Sequence, residues 1–412
     1  MTETRTYIAK TFSGLEETLW KELRGLGAKN LKTINRGVQF EGNTELMYKA
    51  NYQCRTALRI LMPIANFQAR DEQQLYDEIF KIDWEQYIRL KGTFAIDGIT
   101  SYSNINHSKY LALKSKDAIA DQFRGKFGKR PNVNTDDPDV KINIRLFRNG
   151  CSVSLDSSGE SLHKRGYRLE TGPAPINEVL AAGLIQLSGW DAKSNFIDPM
   201  CGSGTIPIEA AMLALNIPAG FFREEFNFER WSDFDEGLWE KVKADAKKNE
   251  TGFTHQIIGS DRSGKILQVA RQNVRSANLE KQVKLWLGYV EDSEPPEGKG
   301  VMITNPPYGE RIKVDDINKL YKGIGDNLKK NYAGYSAWIF SSDENALRQV
   351  GLKPSKKIKL YNGPIETSFC KYEIFEGRKE WFEKKELEKN NDNPNNTNTE
   401  KPKKKRKRIV RE

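Results

Sequence analysis

Histidine is nearly absent from this chain: His107, His163 and His255 are the three it has, far apart over 412 residues. The four cysteines, Cys54, Cys151, Cys201 and Cys370, are equally scattered, and no two form a C-x-x-C pair. Such spacing argues against a metal centre or a disulfide framework and suits a reducing cytosol, so the expected location is cytoplasmic. No apolar run approaches transmembrane length, and the start Met1-Thr-Glu-Thr-Arg5 is too polar for a secretory signal, so no membrane partner is expected. The chain also lacks G-x-x-x-x-G-K-[ST] and G-x-G-x-x-G, which argues against a P-loop and a dinucleotide fingerprint.

What is present is globular but polar, with 37% hydrophobic and 30% charged residues in a length that allows two or three domains. The net charge of +10 favours an anionic partner. That charge is uneven. Residues 383–412 hold eleven Lys/Arg against six Asp/Glu, so this tail carries +5 and residues 1–382 the other +5. The tail joins an asparagine-rich stretch (390–398) to the block Lys403-Lys-Lys-Arg-Lys-Arg408, and neither can bury a core. It reads as a disordered phosphate-binding tether or, more simply, as a solubilising tail. A tether's affinity falls with salt and carries no sequence information.

The most informative segment is Asn305-Pro306-Pro307-Tyr308. It follows Val301-Met-Ile-Thr304, an apolar and β-branched run that predicts a buried strand. Proline fixes φ and lacks an N–H, so the loop is stiff and presents carbonyls. The Asn305 side-chain oxygen and the Pro306 carbonyl can accept both N–H groups of a planar amine, and Tyr308 offers a face for stacking. The plainer reading is a proline-bounded turn with a core tyrosine. A second motif stands upstream. Asn195-Phe-Ile-Asp198 predicts another buried strand, followed by Pro199-Met200-Cys201-Gly202-Ser203-Gly204-Thr205 and an apolar helix over 206–215. A glycine turn between strand and helix lets a ligand approach the backbone, and the helix N-terminus offers free N–H groups. Cys201 reads as a small turn residue with nothing beside it to activate a thiol.

Strands over 5–9, 37–40, 93–99, 141–147 and 151–156 mix with helical periods near 15–20, 46–50, 71–79 and 115–127, predicting an α+β region. From about residue 174, strands near Phe196, Ile257, Val283, Val301 and Ala337 alternate with helices. That pattern predicts an open, mainly parallel sheet with helices on both faces and ligands beyond the carboxyl ends of its strands. Both motifs fall at such ends. An insertion over 216–254, with Phe221, Phe222, Trp231 and Trp239, interrupts the alternation.

The string Asp198-Pro-Met-Cys-Gly-Ser-Gly-Thr205, followed by Asn305-Pro-Pro-Tyr308, resembles the cofactor and catalytic loops of class I S-adenosylmethionine-dependent methyltransferases that act on exocyclic amines. The extended form Asn305-Pro-Pro-Tyr-Gly-Glu-Arg311, with His163-Lys-Arg-Gly-Tyr-Arg168 and Asn362-Gly-Pro-Ile365, is similar to ribosomal-RNA guanine-N2 methyltransferases of the RlmL type. Arg59-Ile-Leu-Met-Pro-Ile64, Ile82-Asp-Trp84, His107-Ser-Lys109 and Lys114-Ser-Lys-Asp-Ala118 resemble the THUMP RNA-binding region of that family. The resemblance covers residues 1–382. It implies a ferredoxin-like segment (1–44), a THUMP domain (45–156) and a Rossmann-like methyltransferase domain with a mostly parallel seven-stranded sheet (157–382), ahead of the basic tail (383–412). Some RlmL chains are fused to a second methyltransferase; this one is expected to carry the first activity alone.

The same resemblance implies S-adenosylmethionine as cofactor, RNA as partner and a guanine N2 amine as acceptor. Asn305, Pro306, Pro307 and Tyr308 would form the catalytic loop. Asp198, Met200, Cys201, Gly202, Ser203, Gly204 and Thr205 would hold the cofactor, with Pro175 and Asn177 closing over its methionine end; the plainer reading of 174–178 is a proline-started helix. Asp261 would accept the ribose hydroxyls, although it stands 57 residues beyond Gly204, and it can equally cap the next helix. Tyr289 occupies the place of the usual adenine-binding aspartate, which leaves Asp292 either that role or a solvated loop. Lys109, Lys114, Lys116 and Arg311 would meet RNA, unless Arg311 and Glu310 simply brace their loop. The insertion aromatics are expected to pack onto the methyltransferase sheet, with RNA contact as the alternative. Transfer RNA as substrate, or a non-catalytic ribosome-assembly module, are the competing functions.

Overall fold

The computed structural model describes residues 3–170, 175–308 and 316–375. The expectations for Ala174, for Gly309, Glu310 and Arg311, and for the tail lie outside those residues. The described part opens with β1 (Arg5–Lys10), α1 (Glu16–Gly25), β2 (Lys29–Ile34), β3 (Gly37–Gly42), α2 (Thr44–Gln53), β4 (Arg59–Gln68), α3 (Glu72–Lys81), β5 (Thr93–Ser101), α4 (Ser108–Phe127), β6 (Asn132–Val133), β7 (Val140–Phe147) and β8 (Gly150–Asp156). These strands form one eight-stranded sheet in the order β2-β3-β1-β4-β8-β7-β5-β6. The antiparallel pairing of β1 with β4, Ile8 opposite Leu61, makes the sheet continuous across residue 44. Alternation sets its faces: Val140, Ile142, Ile144 and Leu146 of β7 are buried while Arg145 between them is exposed. Helix α4 begins seven residues before the expected 115, because Leu111 is already buried against the sheet.

The second half contains α5 (Glu178–Ser188), β9 (Asn195–Asp198), α6 (Thr205–Ala214), α7 (Glu236–Lys248), β10 (Ile257–Asp261), α8 (Gly264–Ser276), β11 (Val283–Leu287), β12 (Gly300–Thr304), α9 (Ile317–Asn331), β13 (Tyr335–Ser341), α10 (Glu344–Gln349), β14 (Lys356–Asn362) and β15 (Ile365–Glu373). Its seven-stranded sheet runs β11-β10-β9-β12-β13-β15-β14, with β15 antiparallel to both neighbours and the other pairs parallel. Side-chain alternation splits its core in two. Phe196, Ile303 and Phe340 pack under α5 and α6, whereas Ile197, Met302 and Ile339 pack under α9 and α10. All four residues of β9 are buried, as a central strand covered on both faces requires.

The insertion does not pack its aromatics mainly onto this second sheet. Phe228 stacks on Tyr48 of α2 (centroids 4.4 Å apart), and Trp239 of α7 meets Tyr52 edge-on at 5.2 Å. Tyrosines spaced four apart on α2 offer an apolar stripe that the insertion's rings cover. Phe222 alone of the expected group turns to the other core, edge-on to Tyr167. The two halves are therefore clamped by the insertion and by buried charge at their junction. Arg165, 1% exposed, reaches Glu209 of α6 (Nε to Oε1 3.2 Å), the Leu162 carbonyl and the Arg55 carbonyl. Among the described residues no helix is long and apolar enough to cross a membrane.

Candidate active site

Strands β9, β10 and β12 lie side by side and parallel, so their carboxyl ends share one rim. Asp198, Asp261 and the Asn305 loop close those three strands, and a cavity of about 730 Å³ opens between them. Its walls include Pro175, Asp198, Met200, Cys201, Gly202, Ser203, Thr205, Asp261 and all four residues Asn305, Pro306, Pro307 and Tyr308. The two motifs, placed at strand ends by sequence, thus face one space.

The glycine turn works through backbone geometry. Gly202 and Gly204 have φ of +54° and +85°, a region that side-chain-bearing residues avoid. Gly204 precedes α6 and does not itself line the cavity; it also abuts α8, where an added Cβ would lie 3.3 Å from the Ala270 Cβ. Asp261 holds the turn in place, accepting from Gly202 N (3.1 Å) and from Ser263 N (2.9 Å). The cap of α8 is Ser263, whose Oγ accepts from Ile266 N, so Asp261 is left facing the cavity and is not the helix cap.

Asp198 is 1% exposed and accepts from Met200 N at 3.1 Å, but no cation pairs with it among the described residues. Burial, reinforced by the nearby Asp261 charge, pushes its carboxyl up to about 8. A carboxyl so placed at a cleft is poised to take a cation. Asn305 presents a second uncompensated group: its Oδ1 is buried and has no hydrogen-bond partner among the described residues. Unsatisfied buried acceptors cost about 1–3 kcal/mol, so an N–H donor arriving there gains that much. Tyr308 is edge-on to Phe340 (6.3 Å), and its hydroxyl accepts from the Asn362 amide at 2.8 Å.

Three expected cofactor residues sit elsewhere. Asn177 caps α5, its Oδ1 accepting from Val179 N (2.9 Å), and lies outside the cavity lining. Asp292 is exposed at the end of a short turn; Tyr289, Val290 and Glu291 line the cavity in its stead. Gly204 acts by conformation, as described. Of the expected RNA lysines on α4, Lys109 is exposed, Lys114 lies over the Tyr76 ring at 5.0 Å, and Lys116 pairs with Asp117 at 2.7 Å. Among the described residues no group of three or more His, Cys, Asp or Glu is arranged to hold a metal.

Sequence reasoning named no role for Arg168 or Asn362. The Arg168 guanidinium donates to Glu178 (2.6 Å), Ser203 Oγ (3.2 Å), Thr205 Oγ1 (2.7 Å) and the Ile176 carbonyl (3.3 Å), so one side chain joins the glycine turn to the wall formed by Pro175 and Ile176. Asn362 fixes the Tyr308 ring. Both fall inside segments already singled out, His163–Arg168 and Asn362–Ile365, but only the fold reveals what they touch.

A sheet of this order, with acids closing two adjacent central strands, a glycine turn after one and an Asn-Pro-Pro-Tyr loop closing a third, is that of a class I methyltransferase. Residues 165–371 match the RMKL-like methyltransferase domain, residues 69–156 the THUMP domain and residues 6–61 the RlmL ferredoxin-like domain. The chain belongs to the RMKL-like methyltransferase family. It is 38% identical over 374 residues to the RNA methyltransferase slr0064 of Synechocystis, a match covering 90% of this chain and 97% of that one. It is 39% identical over 376 residues to the ribosomal RNA large subunit methyltransferase K/L of Psychromonas ingrahamii, covering 90% of this chain and 50% of the relative. The chain thus spans about half the length of such K/L relatives. The crystal structure of SMU.472 complexed with SAH is similar with a TM-score of 0.83 and 34% identity, over 92% of this chain and 100% of that one.

Proposed function

We propose that this protein transfers a methyl group from S-adenosylmethionine to the exocyclic N2 amine of a guanine in RNA, with large-subunit ribosomal RNA as the substrate. One observation carries the reading: the Asn305 Oδ1, which has no hydrogen-bond partner among the described residues, and the Asp198 carboxyl, which has no cation among them, line the same cavity. The first suits an amine donor, the second an ammonium. The K/L relatives and the THUMP match support RNA, and ribosomal RNA, as the acceptor.

Asp198 would hold the methionyl ammonium, Asp261 the ribose hydroxyls, and the backbone of Gly202, Ser203 and Thr205 the cofactor body. When bound, the cofactor supplies an electrophilic methyl on a sulfonium. The protein's own work is positioning. Asn305 Oδ1 and the Pro306 carbonyl accept the two N–H groups of the guanine amine and aim its lone pair. Tyr308, steadied by Asn362, stacks on the base after it leaves its neighbours, a step costing a few kcal/mol unless the RNA is already single-stranded. Alignment of this kind is worth roughly 7–11 kcal/mol in favourable cases. No strong base is needed, since a methylated ammonium sheds its proton readily. In this reading residues 1–156 select the RNA, 157–382 perform the transfer in the cytoplasm, and Lys109 and Arg311 remain proposed RNA contacts.

Mass spectrometry of nucleosides from a deletion strain tests the proposal. Loss of one N2-methylguanosine from large-subunit RNA is the expected result. Its loss from transfer RNA would move the assignment to a transfer-RNA guanine-N2 enzyme, which a THUMP domain also suits. Failure to bind S-adenosylmethionine by isothermal titration would instead point to a non-catalytic RNA-binding module.

A further inference from the structure

Helix α4 packs against one face of the first sheet: a Cβ added to Gly98 of β5 would lie 2.6 Å from the Ser108 carbonyl. Ile99 therefore points to the opposite face, where it is 52% exposed and stands opposite Arg145 of β7. Two residues further along the same face is Phe147. The Arg145 guanidinium lies 5.1 Å from the Phe147 ring centroid and that of Arg148 lies 5.3 Å from it. Tyr102, 84% exposed, meets the same ring edge-on at 5.9 Å. Neither arginine takes part in an ion pair among the described residues, in contrast to Arg59, Arg124, Arg165 and Arg168.

The backbone that presents this group is strained. Arg148 and Asn149 form the two-residue turn between β7 and β8 with φ of +49° and +61°, and Tyr102 has φ of +51°. Positive φ at both turn positions favours Asn and Gly. An arginine at the first position and an exposed tyrosine in the same conformation are costly choices, and both side chains lean on the Phe147 ring. Asn149 couples the two strained sites, since its Oδ1 accepts from Asn104 N at 3.0 Å and its own N–H reaches Ser103 Oγ at 3.0 Å.

We propose that the β7–β8 tip and the loop after β5 form a docking surface for single-stranded RNA, with Arg145 and Arg148 on phosphates and Tyr102 stacking on a base. Two unpaired guanidiniums flanking aromatic rings complement a chain of phosphates and π-faces better than a duplex groove or an apolar partner. The surface differs from α4, where Lys114 and Lys116 already have partners. It rests on the proposed RNA substrate but can be tested apart from it.

The test measures binding of a fluorescein-labelled oligoribonucleotide without self-complementarity to the full chain across a salt series. Arg145→Ala and Arg148→Asn should each weaken binding and flatten the log–log salt slope by about 0.7, the value for one phosphate contact on a single strand. Tyr102→Ala should lower affinity roughly tenfold with the slope unchanged. Arg148→Asn separates binding from folding, because asparagine suits positive φ: its thermal midpoint should rise while its RNA affinity falls. Wild-type affinity and slope in all three variants would overturn the proposal, as would loss confined to Lys114→Ala and Lys116→Ala. Variants that methylate ribosomal RNA with unaltered kcat/KM would sink the docking surface and leave the proposed function standing. A wild-type protein that methylates no RNA yet binds the oligonucleotide through this tip would do the reverse.

Discussion

Asp198 and Glu209 are both buried carboxyls, 1% and 0% exposed, on successive elements of one domain. Glu209 is answered by the chain itself. Arg165 lies 3.2 Å from it, and the Tyr167 hydroxyl donates to it at 3.1 Å. Asp198 has a backbone N–H and, among the described residues, no cation, and its carboxyl is driven up to about 8. Two acids with equal burial thus meet opposite treatment. Around Glu209 the protein has finished its own electrostatics, which joins the Arg55 carbonyl of the first half to α6. Around Asp198 it has left a buried carboxyl without a cation among the described residues, at the edge of a cavity where a cationic ligand would favour its ionised form.

Removing the partner of Glu209 should cause the largest effect. Arg165→Met leaves the buried Glu209 carboxylate with the Tyr167 hydroxyl but without its cation, and removes donors to the Leu162 and Arg55 carbonyls. The expected loss is about 3–5 kcal/mol of folding stability, read by urea denaturation. Replacing both partners, Arg165→Met with Glu209→Leu, should recover much of it. A single variant as stable as the wild type would mean that the junction's charges are not compensating one another.

The same kind of deletion in the cleft should act on rate and leave stability alone. Asn305→Ala removes an acceptor that has no protein partner among the described residues, so folding loses little. Turnover should fall about 10²–10³-fold, as for loss of one preorganised polar group, while cofactor affinity by titration stays the same. Equal loss of turnover and cofactor affinity would contradict the role given to Asn305.

Much of the cleft was legible in the sequence because its parts are local. A strand, a glycine turn and an apolar helix follow one another from Asn195 to Ala214, and Asn305 to Tyr308 are consecutive, so each motif declares its own geometry. What was hidden depends on distance. Arg168 joins Ser203, Thr205 and Glu178, and Asn362 meets Tyr308 across 54 positions of sequence, which no local pattern encodes. Asn177 shows the local side of the same rule. An asparagine before a helix is a good cap, and its side chain accepts from the local N–H groups of Val179 and Leu180. The insertion misled through its neighbour: Trp239 and Phe228 found the stripe of Tyr48 and Tyr52, an amphipathic face whose need for cover is visible only once α2 is placed on its sheet.

Asp198→Asn sharpens the contrast through pH. The wild-type carboxyl keeps its proton up to about 8 in the fold, against about 3.9 in an unfolded chain. Its contribution to stability is therefore full below about pH 4 and is lost as pH rises towards 8. Asparagine never ionises, so the ligand-free variant should melt above the wild type, with a wider gap at about pH 8 than at about pH 5. Addition of S-adenosylhomocysteine should reverse the order. The variant should lose at least about 2 kcal/mol of ligand affinity, the cost of removing one partner of a buried charge pair. A thermal shift equal to that of the wild type would mean that the ligand's cation sits elsewhere.

The smallest change probes how the aromatic of the catalytic loop is held. Tyr308→Phe keeps the ring and its edge-on contact with Phe340 but removes the acceptor of the 2.8 Å bond from Asn362. A neutral hydrogen bond of this type contributes about 1 kcal/mol, so kcat/KM should fall roughly fivefold. If the bond matters by aiming the ring, Asn362→Ala should cost about the same, and the double variant little more than either alone. Additive losses would show that Asn362 touches the substrate directly, as its place in the cavity wall allows. In either case cofactor affinity should stay unchanged if, as proposed, Tyr308 and Asn362 meet the base while the acids that close β9 and β10 meet the donor.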